Sequence, residues 1–208
     1  MSPNVTPTGG LVYGYNAGAV ALFAYVLGNS RVYVTDELKA KQRPIELFAL
    51  DITRKFDELQ WGKVSLACPD SLAPDDNDTP NAEAPMQTFQ RHGVNLVAVD
   101  LGDKEHGWQR THEFMRLAPD GKPWLVVSPR CKSLVRTLPS LIADPNNADD
   151  IDNGQEDRAA LALRTLLASR PAPGATRKDS TPPAFMTLGW VKSLDAKAAR
   201  GVGCLARR

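Results

Sequence analysis

No acidic residue lies between Met1 and Tyr33, so the first stretch of the chain supplies no carboxylate to any metal or acid–base site. Cysteine is scarce: Cys68, Cys131 and Cys204 form an odd set with no CxxC pair. That signals neither a disulfide framework nor a zinc ribbon, and a reducing cytoplasm is the expected setting. Nothing approaches the roughly 18 consecutive apolar residues of a membrane span. The start, MSPNVTPTGG, lacks a basic region followed by an apolar run, so the protein is expected to be soluble and unsecreted. The common catalytic signatures are missing as well. Gly62-Lys63 is followed by Val64, so no phosphate-cradling GxxxxGK[ST] loop is encoded and no nucleoside triphosphate is expected to bind. Gly14 and Gly18 do not complete GxGxxG, and neither GxSxG nor HExxH occurs. His106 and His112 are six residues apart, on different faces of a helix; with His92 they read as surface or cap residues.

What is present is an ordinary globular chain of 208 residues, 42% hydrophobic and 24% charged. That is long enough for one domain with its own core and perhaps an appendage. The net charge of +1 is unevenly spread. Residues 171–208 hold seven basic and two acidic side chains, a net +5, which leaves −4 on the rest. A near-neutral body with a basic tail suits an anionic partner.

Three apolar segments open the chain: Leu11–Tyr15, Ala17–Leu27 and Arg31–Leu38. They predict three consecutive strands, the last two joined by a hairpin at Gly28–Ser30, although a continuous run such as AGAVALFAYVL also fits a buried helix. From Pro44, apolar residues at Ile45, Phe48, Ala49, Ile52 and Phe56 recur at helical spacing, predicting a helix over 44–58. Lys63–Ala67, Val94–Val99 and Trp124–Ser128 read as short buried strands. Pro69–Pro85 begins as a loop, and helices are expected near 84–92, 107–117, 132–142 (interrupted by Pro139) and 156–169. PAPGATRKDSTPP, residues 171–183, has the composition of a linker, which divides the chain into a domain at 1–170 and a tail at 171–208. Three strands, a helix and then alternating strands and helices predict an α/β mixed sheet of five or six strands, antiparallel first and parallel later. Asp75, Asp76 and Asp78 read as a solvated charge run in a loop, whereas Asp100 and Asp103 follow a strand and fall where open α/β sheets bind ligands.

The stretch from Lys122 to Pro171 carries a more specific pattern. A strand is followed by Cys131–Pro139 (CKSLVRTLP), then Asp144–Asp152 (DPNNADDID), then Glu156–Thr165 (EDRAALALRT). This order resembles the end of the nuclease domain of tailed-phage terminase large subunits, with its "C-x-x-l-i-r-t-l-P", "D-x-x-n-x-e-D-v-D" and "E-D-H-a-a-D-a-l-R-Y" blocks. LVYGYNAGAVALFAYV, RVYVTDELKAKQRP and HGVNLVAVDLGDKEHGW are similar to the family's first hairpin, its "E-y-k" strand and its "G-W" helix start. The resemblance spans about residues 10–170 and implies a ribonuclease H-like fold. It also implies a working partner of DNA, or of a portal or packaging protein, inside the bacterial host cytoplasm. The family's large subunits carry a packaging ATPase ahead of the nuclease; a chain that starts at the nuclease is expected not to translocate DNA by itself.

The reaction implied by the resemblance is phosphodiester hydrolysis by two divalent metals. Two such cations roughly 3.5–4 Å apart need several converging carboxylates, and Mg²⁺ or Mn²⁺ needs oxygen ligands. Matching position by position, the family's first-strand aspartate falls on Val12, its second acid on Cys68 and its third on Leu161, while the family histidine becomes Arg158. None of the three offers an oxygen. At roughly 100° per residue Leu161 lies about 200° around the helix from Ala159, which predicts a place off the apolar stripe, near Asp157 and Arg164. No cofactor is therefore expected, and the chain reads as a degenerate, non-enzymatic relative that binds DNA or protein. The competing enzymatic reading takes Mg²⁺ or Mn²⁺ into a rearranged set of Asp70, Asp100, Asp103 and Asp157 with Glu156 nearby, although a ligand moved from Cys68 to Asp70 shifts roughly 6–7 Å along a strand. A third reading is a scaffold unrelated to nucleic acid. In the tail, Arg177, Lys178, Lys192, Lys197 and Arg200 around Trp190 are the expected contacts to DNA or a packaging partner. The bland reading of the same segment is that Phe185–Leu194 packs back on the domain.

Overall fold

In the computed structural model, which describes residues 5–28, 30–73, 84–101, 104–144, 147–151 and 158–174, the chain opens with an antiparallel meander. Its strands are β1 (Val5–Val12), β2 (Ala19–Leu27) and β3 (Val32–Ala40), paired from Val5↔Leu27 to Val12↔Val20 and from Ala19↔Ala40 to Val26↔Val32. Three parallel strands complete the sheet: β4 (Ser65–Pro69) beside β1, β5 (Asn95–Val99) beside β4, and β6 (Leu125–Val127) beside β3. The order across the sheet is β5-β4-β1-β2-β3-β6. The C-terminal ends of β1, β3, β4, β5 and β6 consequently share one edge.

The apolar run at Ala19–Ala24 is buried on both faces because it is a central strand, which decides between the strand and helix readings. On one face lies α1 (Ile45–Glu58), contributing Phe48, Ala49, Ile52 and Phe56, together with α2 (Pro85–Arg91), contributing Phe89. Pro44 stands at the N-cap of α1 and Pro85 in the first turn of α2, where a missing N–H costs nothing. On the other face lie α3 (Lys104–Met115), α4 (Lys132–Thr137) and α5 (Arg158–Ala168), around Val20, Leu22, Phe114, Leu134, Leu163 and Leu166. A short hairpin, β7 (Ala143–Asp144) with β8 (Asn147–Ile151), precedes α5.

A bulge in β3 alters which side chains meet which face. Phe23 pairs with Asp36 but Ala24 with Val34, leaving Thr35 over; its Oγ1 donates to the Phe23 carbonyl at 3.3 Å. Ahead of the bulge Val32 and Val34 face α5; beyond it Leu38 joins the α1 side, and Glu37 turns toward α4.

Two expectations need correction. β1 begins at Val5 rather than at Leu11 and ends at Val12. Pro7 is tolerated because it pairs with Tyr25 of β2, while the other neighbour, β4, pairs only from Gly9 onward. Leu161 and Arg164 do not form a polar face of α5. Arg164 is only 4% exposed and Leu161 is half-buried against the same cluster as α5's stripe, because α3 packs along that side of α5. No helix among the described residues is long and apolar enough to cross a membrane.

Candidate functional site

The shared C-terminal edge of the sheet, where α5 meets β1, is the position to which the sequence assigns its site residues. α5 lies unusually close to β1. A Cβ added at Gly10 would stand 2.2 Å from the Ala162 carbonyl oxygen and 2.8 Å from Cβ of Leu166. One Cβ at this point would force the helix off the strand, so glycine is a condition of the packing. Further toward the edge, Nη2 of Arg158 lies 3.9 Å from where a Cβ on Gly14 would be. α5 thus runs against β1, with Ala162 and Leu166 over Gly10 and Arg158 over the strand's exit.

Val12 sits between these two contacts along β1, 3% exposed, in the hydrophobic cluster that α5 covers. Leu161 packs against the same cluster. The two positions matched to the family's first and third carboxylates therefore belong to one apolar cluster on the α5 face of the sheet, to which β2, β3, α3 and α4 also contribute. Cys68 is placed elsewhere. It is fully buried on the opposite face, among Leu11, Phe48 and Leu66, and does not converge with Val12 and Leu161. Alternation along β4 gives the α5 face to Ala67 and Pro69, and neither carries a metal-ligating side chain. Burial pushes the Cys68 thiol up to about 11, with the nearby Asp70 carboxylate adding to the shift, so at neutral pH it stands as a thiol.

The fallback acids are dispersed. Asp70 opens a 3-10 turn at Asp70–Leu72, is exposed, and accepts a hydrogen bond from the Ser71 N–H at 3.0 Å. Asp100 follows β5 and is exposed. Pro69↔Val99 is the last pair of the β4–β5 ladder, so both acids stand one residue beyond it at the same level. Asp103, Glu156 and Asp157 lie outside the described residues, as do Arg177, Lys178, Trp190, Lys192, Lys197 and Arg200. Among the described residues no group of three or more His, Cys, Asp or Glu side chains is arranged to hold a metal ion.

Two features of this edge were not singled out from the sequence. Arg164 is buried with its guanidinium over the Trp108 ring at 5.7 Å, and its Nη2 donates to the Leu101 carbonyl at 3.4 Å, tying α5 to α3 and to the exit of β5. Glu37 of β3 accepts hydrogen bonds from the backbone N–H groups of Ser133 and Leu134, so a carboxylate from a distant strand caps α4. The "D-E-L" of RVYVTDELKAKQRP was a signal for this strand, but its capping partner is 96 residues away.

No family model matches the chain, and no curated protein matches it. Solved structures do. The nuclease domain of the P22 large terminase superposes with a TM-score of 0.59 at 12% identity, over 82% of this chain and 84% of that domain. The nuclease domain of the SPP1 large terminase, determined with bound Mn, gives 0.51 at 17% identity, over 79% of this chain and 86% of that one. The large terminase of a thermophilic bacteriophage, in complex with ATP-gamma-S, gives 0.58 at 14% identity over 78% of this chain, which spans 39% of that longer protein. The chain has the ribonuclease H-like fold of the terminase large-subunit nuclease domain.

Proposed function

We propose that this chain is a terminase nuclease-like module of a phage that has given up the two-metal hydrolytic centre. In this reading it serves phage DNA packaging, or a related phage process, as a DNA- or protein-binding part in the host cytoplasm. The observation that carries the reading is that Val12 is buried in, and Leu161 packs against, the same apolar cluster on the α5 face of the sheet. A divalent cation must exchange its water for oxygen ligands, and two cations close together need several carboxylates. Val12 and Leu161 offer none, Ala67 and Pro69 offer none from β4, and Cys68 is a protonated thiol on the far face. The described residues at these positions do not fit Mg²⁺ or Mn²⁺.

The charge distribution supports an anionic partner. The stretch 171–208 carries a net +5 with Trp190 and other apolar residues among Arg177, Lys178, Lys192, Lys197 and Arg200. Affinity built on phosphate neutralisation falls steeply with salt, whereas a protein contact anchored on an aromatic side chain does not. Measuring duplex DNA binding by the full chain and by a variant ending at residue 170, at low and at high salt, tests this reading. Salt-sensitive binding that disappears with the tail supports a DNA-binding module. Absence of DNA binding at low salt removes DNA as the partner.

A further inference from the structure

The loop between β1 and β2 is pinned by its backbone. The Gly18 N–H donates to the Gly14 carbonyl at 2.8 Å, and Gly18 takes φ +98°, a conformation that glycine adopts without strain. The Gln42 N–H donates to the Tyr15 carbonyl at 2.9 Å and the Tyr13 hydroxyl to the Arg43 carbonyl at 3.0 Å, which ties the loop to the exit of β3. Tyr13 belongs to the core, where its ring centre lies 6.3 Å from that of Phe48 and 5.7 Å from that of Phe89. Tyr15 does not. It is 50% exposed, and among the described residues its side chain makes no hydrogen bond and its ring meets no other ring.

Two cations flank this ring. Lys41 is exposed and directly precedes the residue bonded to Tyr15. The Arg158 guanidinium, at the start of α5, reaches the loop, with Nη2 3.9 Å from the Cβ position of Gly14. Neither forms an ion pair among the described residues, whereas the neighbouring Arg43 is held by Asp51 at 2.9 Å. Residues 13–18 and 38–43 contain no acid. Cations contact phosphate in either strand state, but an aromatic face stacks only on a base that has left its duplex. A ring carried on a pinned backbone loses little freedom when it does so. We infer that Tyr15, Lys41 and Arg158 form a binding site for single-stranded DNA, with an unpaired base stacked on Tyr15 and adjoining phosphates on the two cations. This rests on the reading of the chain as a DNA-binding part, and adds a strand-selective contact outside residues 171–208.

Fluorescence anisotropy of the full chain with labelled oligo(dT), and with a duplex of the same length, tests the inference. Tyr15→Ala should weaken oligo(dT) binding about tenfold or more, with duplex binding and the circular dichroism spectrum unchanged. Tyr15→Phe keeps the π face and should retain most of the affinity. Lys41→Gln combined with Arg158→Gln should lower the salt slope of oligo(dT) binding by about 1.4, the loss of two phosphate contacts on a single strand. Unchanged oligo(dT) affinity in Tyr15→Ala, an equal loss on the duplex, an equal loss in Tyr15→Phe, or an unchanged salt slope would overturn the inference and leave tail-dependent duplex binding standing. Absence of binding to both probes would overturn it together with the DNA reading on which it rests.

Discussion

Gly10 of β1 and Ala162 of α5 are in backbone-to-backbone proximity: the space a Cβ on Gly10 would occupy ends 2.2 Å from the Ala162 carbonyl oxygen. This contact sets the depth at which α5 sits over β1. Gly10→Ala should therefore cost at least about 1–3 kcal/mol, the usual range for overpacking, because the obstacle is backbone and not a side chain that swings away. Gly62→Ala, where nothing lies within 4 Å, is the matched control and should change stability little. Urea denaturation of the two variants checks both expectations.

Glu37 holds α4 against β3 through the N–H groups of Ser133 and Leu134. Glu37→Ala should destabilise by about 1–3 kcal/mol, the range for removing a charged acceptor from otherwise unsatisfied donors. Glu37→Gln keeps one acceptor oxygen and should recover part of the loss. Chemical denaturation at neutral pH separates the two variants.

Restoring a carboxylate at Val12 should not restore a site. An aspartate there enters an apolar cluster, so its folded pKa rises above the unfolded value. Both states are protonated at low pH and the variant is nearly as stable as Val12→Asn. As pH rises through the unfolded pKa, the unfolded chain releases its proton first, and stability falls. Thermal melts of Val12→Asp between acid and neutral pH should show this slope, which is absent from Val12→Asn. The triple variant with Cys68→Asp and Leu161→Asp should be less stable still, since its third carboxylate lies on the other face of the sheet.

The two described cysteines should be inert. Burial pushes the Cys68 thiol up to about 11 and the Cys131 thiol up to about 12, the latter with help from Glu37 and Asp36. In a Cys204→Ser background the native protein should show almost no labelling by a thiol-specific disulfide reagent at pH 8, and two labelled thiols after unfolding.

Much of the fold was legible because its signals are local. The helix at 44–58 followed from apolar spacing and Pro44, and the structure gives Ile45–Glu58. The mixed strand order followed from three consecutive strand signals ahead of the first helix. β1 was harder to read, since Pro7, Gly9 and Gly10 weaken its first half; the proline is permitted by a one-sided ladder and Gly10 by an overlying helix, and neither neighbour is visible locally. The polar-face reading of Leu161 and Arg164 failed for a similar reason. Helical periodicity assumes one buried side, and α3 buries a second by laying Trp108 over Arg164. At the site, position matching took Val12, Cys68 and Leu161 one by one; the structure puts Val12 and Leu161 on one cluster and Cys68 on the other face of the sheet, since a one-residue step along a strand reverses its face.

The central claim, that the chain keeps the nuclease fold without its two-metal chemistry, is tested most directly by incubating the full chain with supercoiled plasmid and Mn²⁺. The account predicts that the plasmid stays supercoiled, with the same result for Asp70→Ala and Asp157→Ala. Mn²⁺-dependent nicking by the unmodified chain, abolished by either substitution, would contradict it and place a working metal cluster among the acids beyond the ends of β4 and before α5.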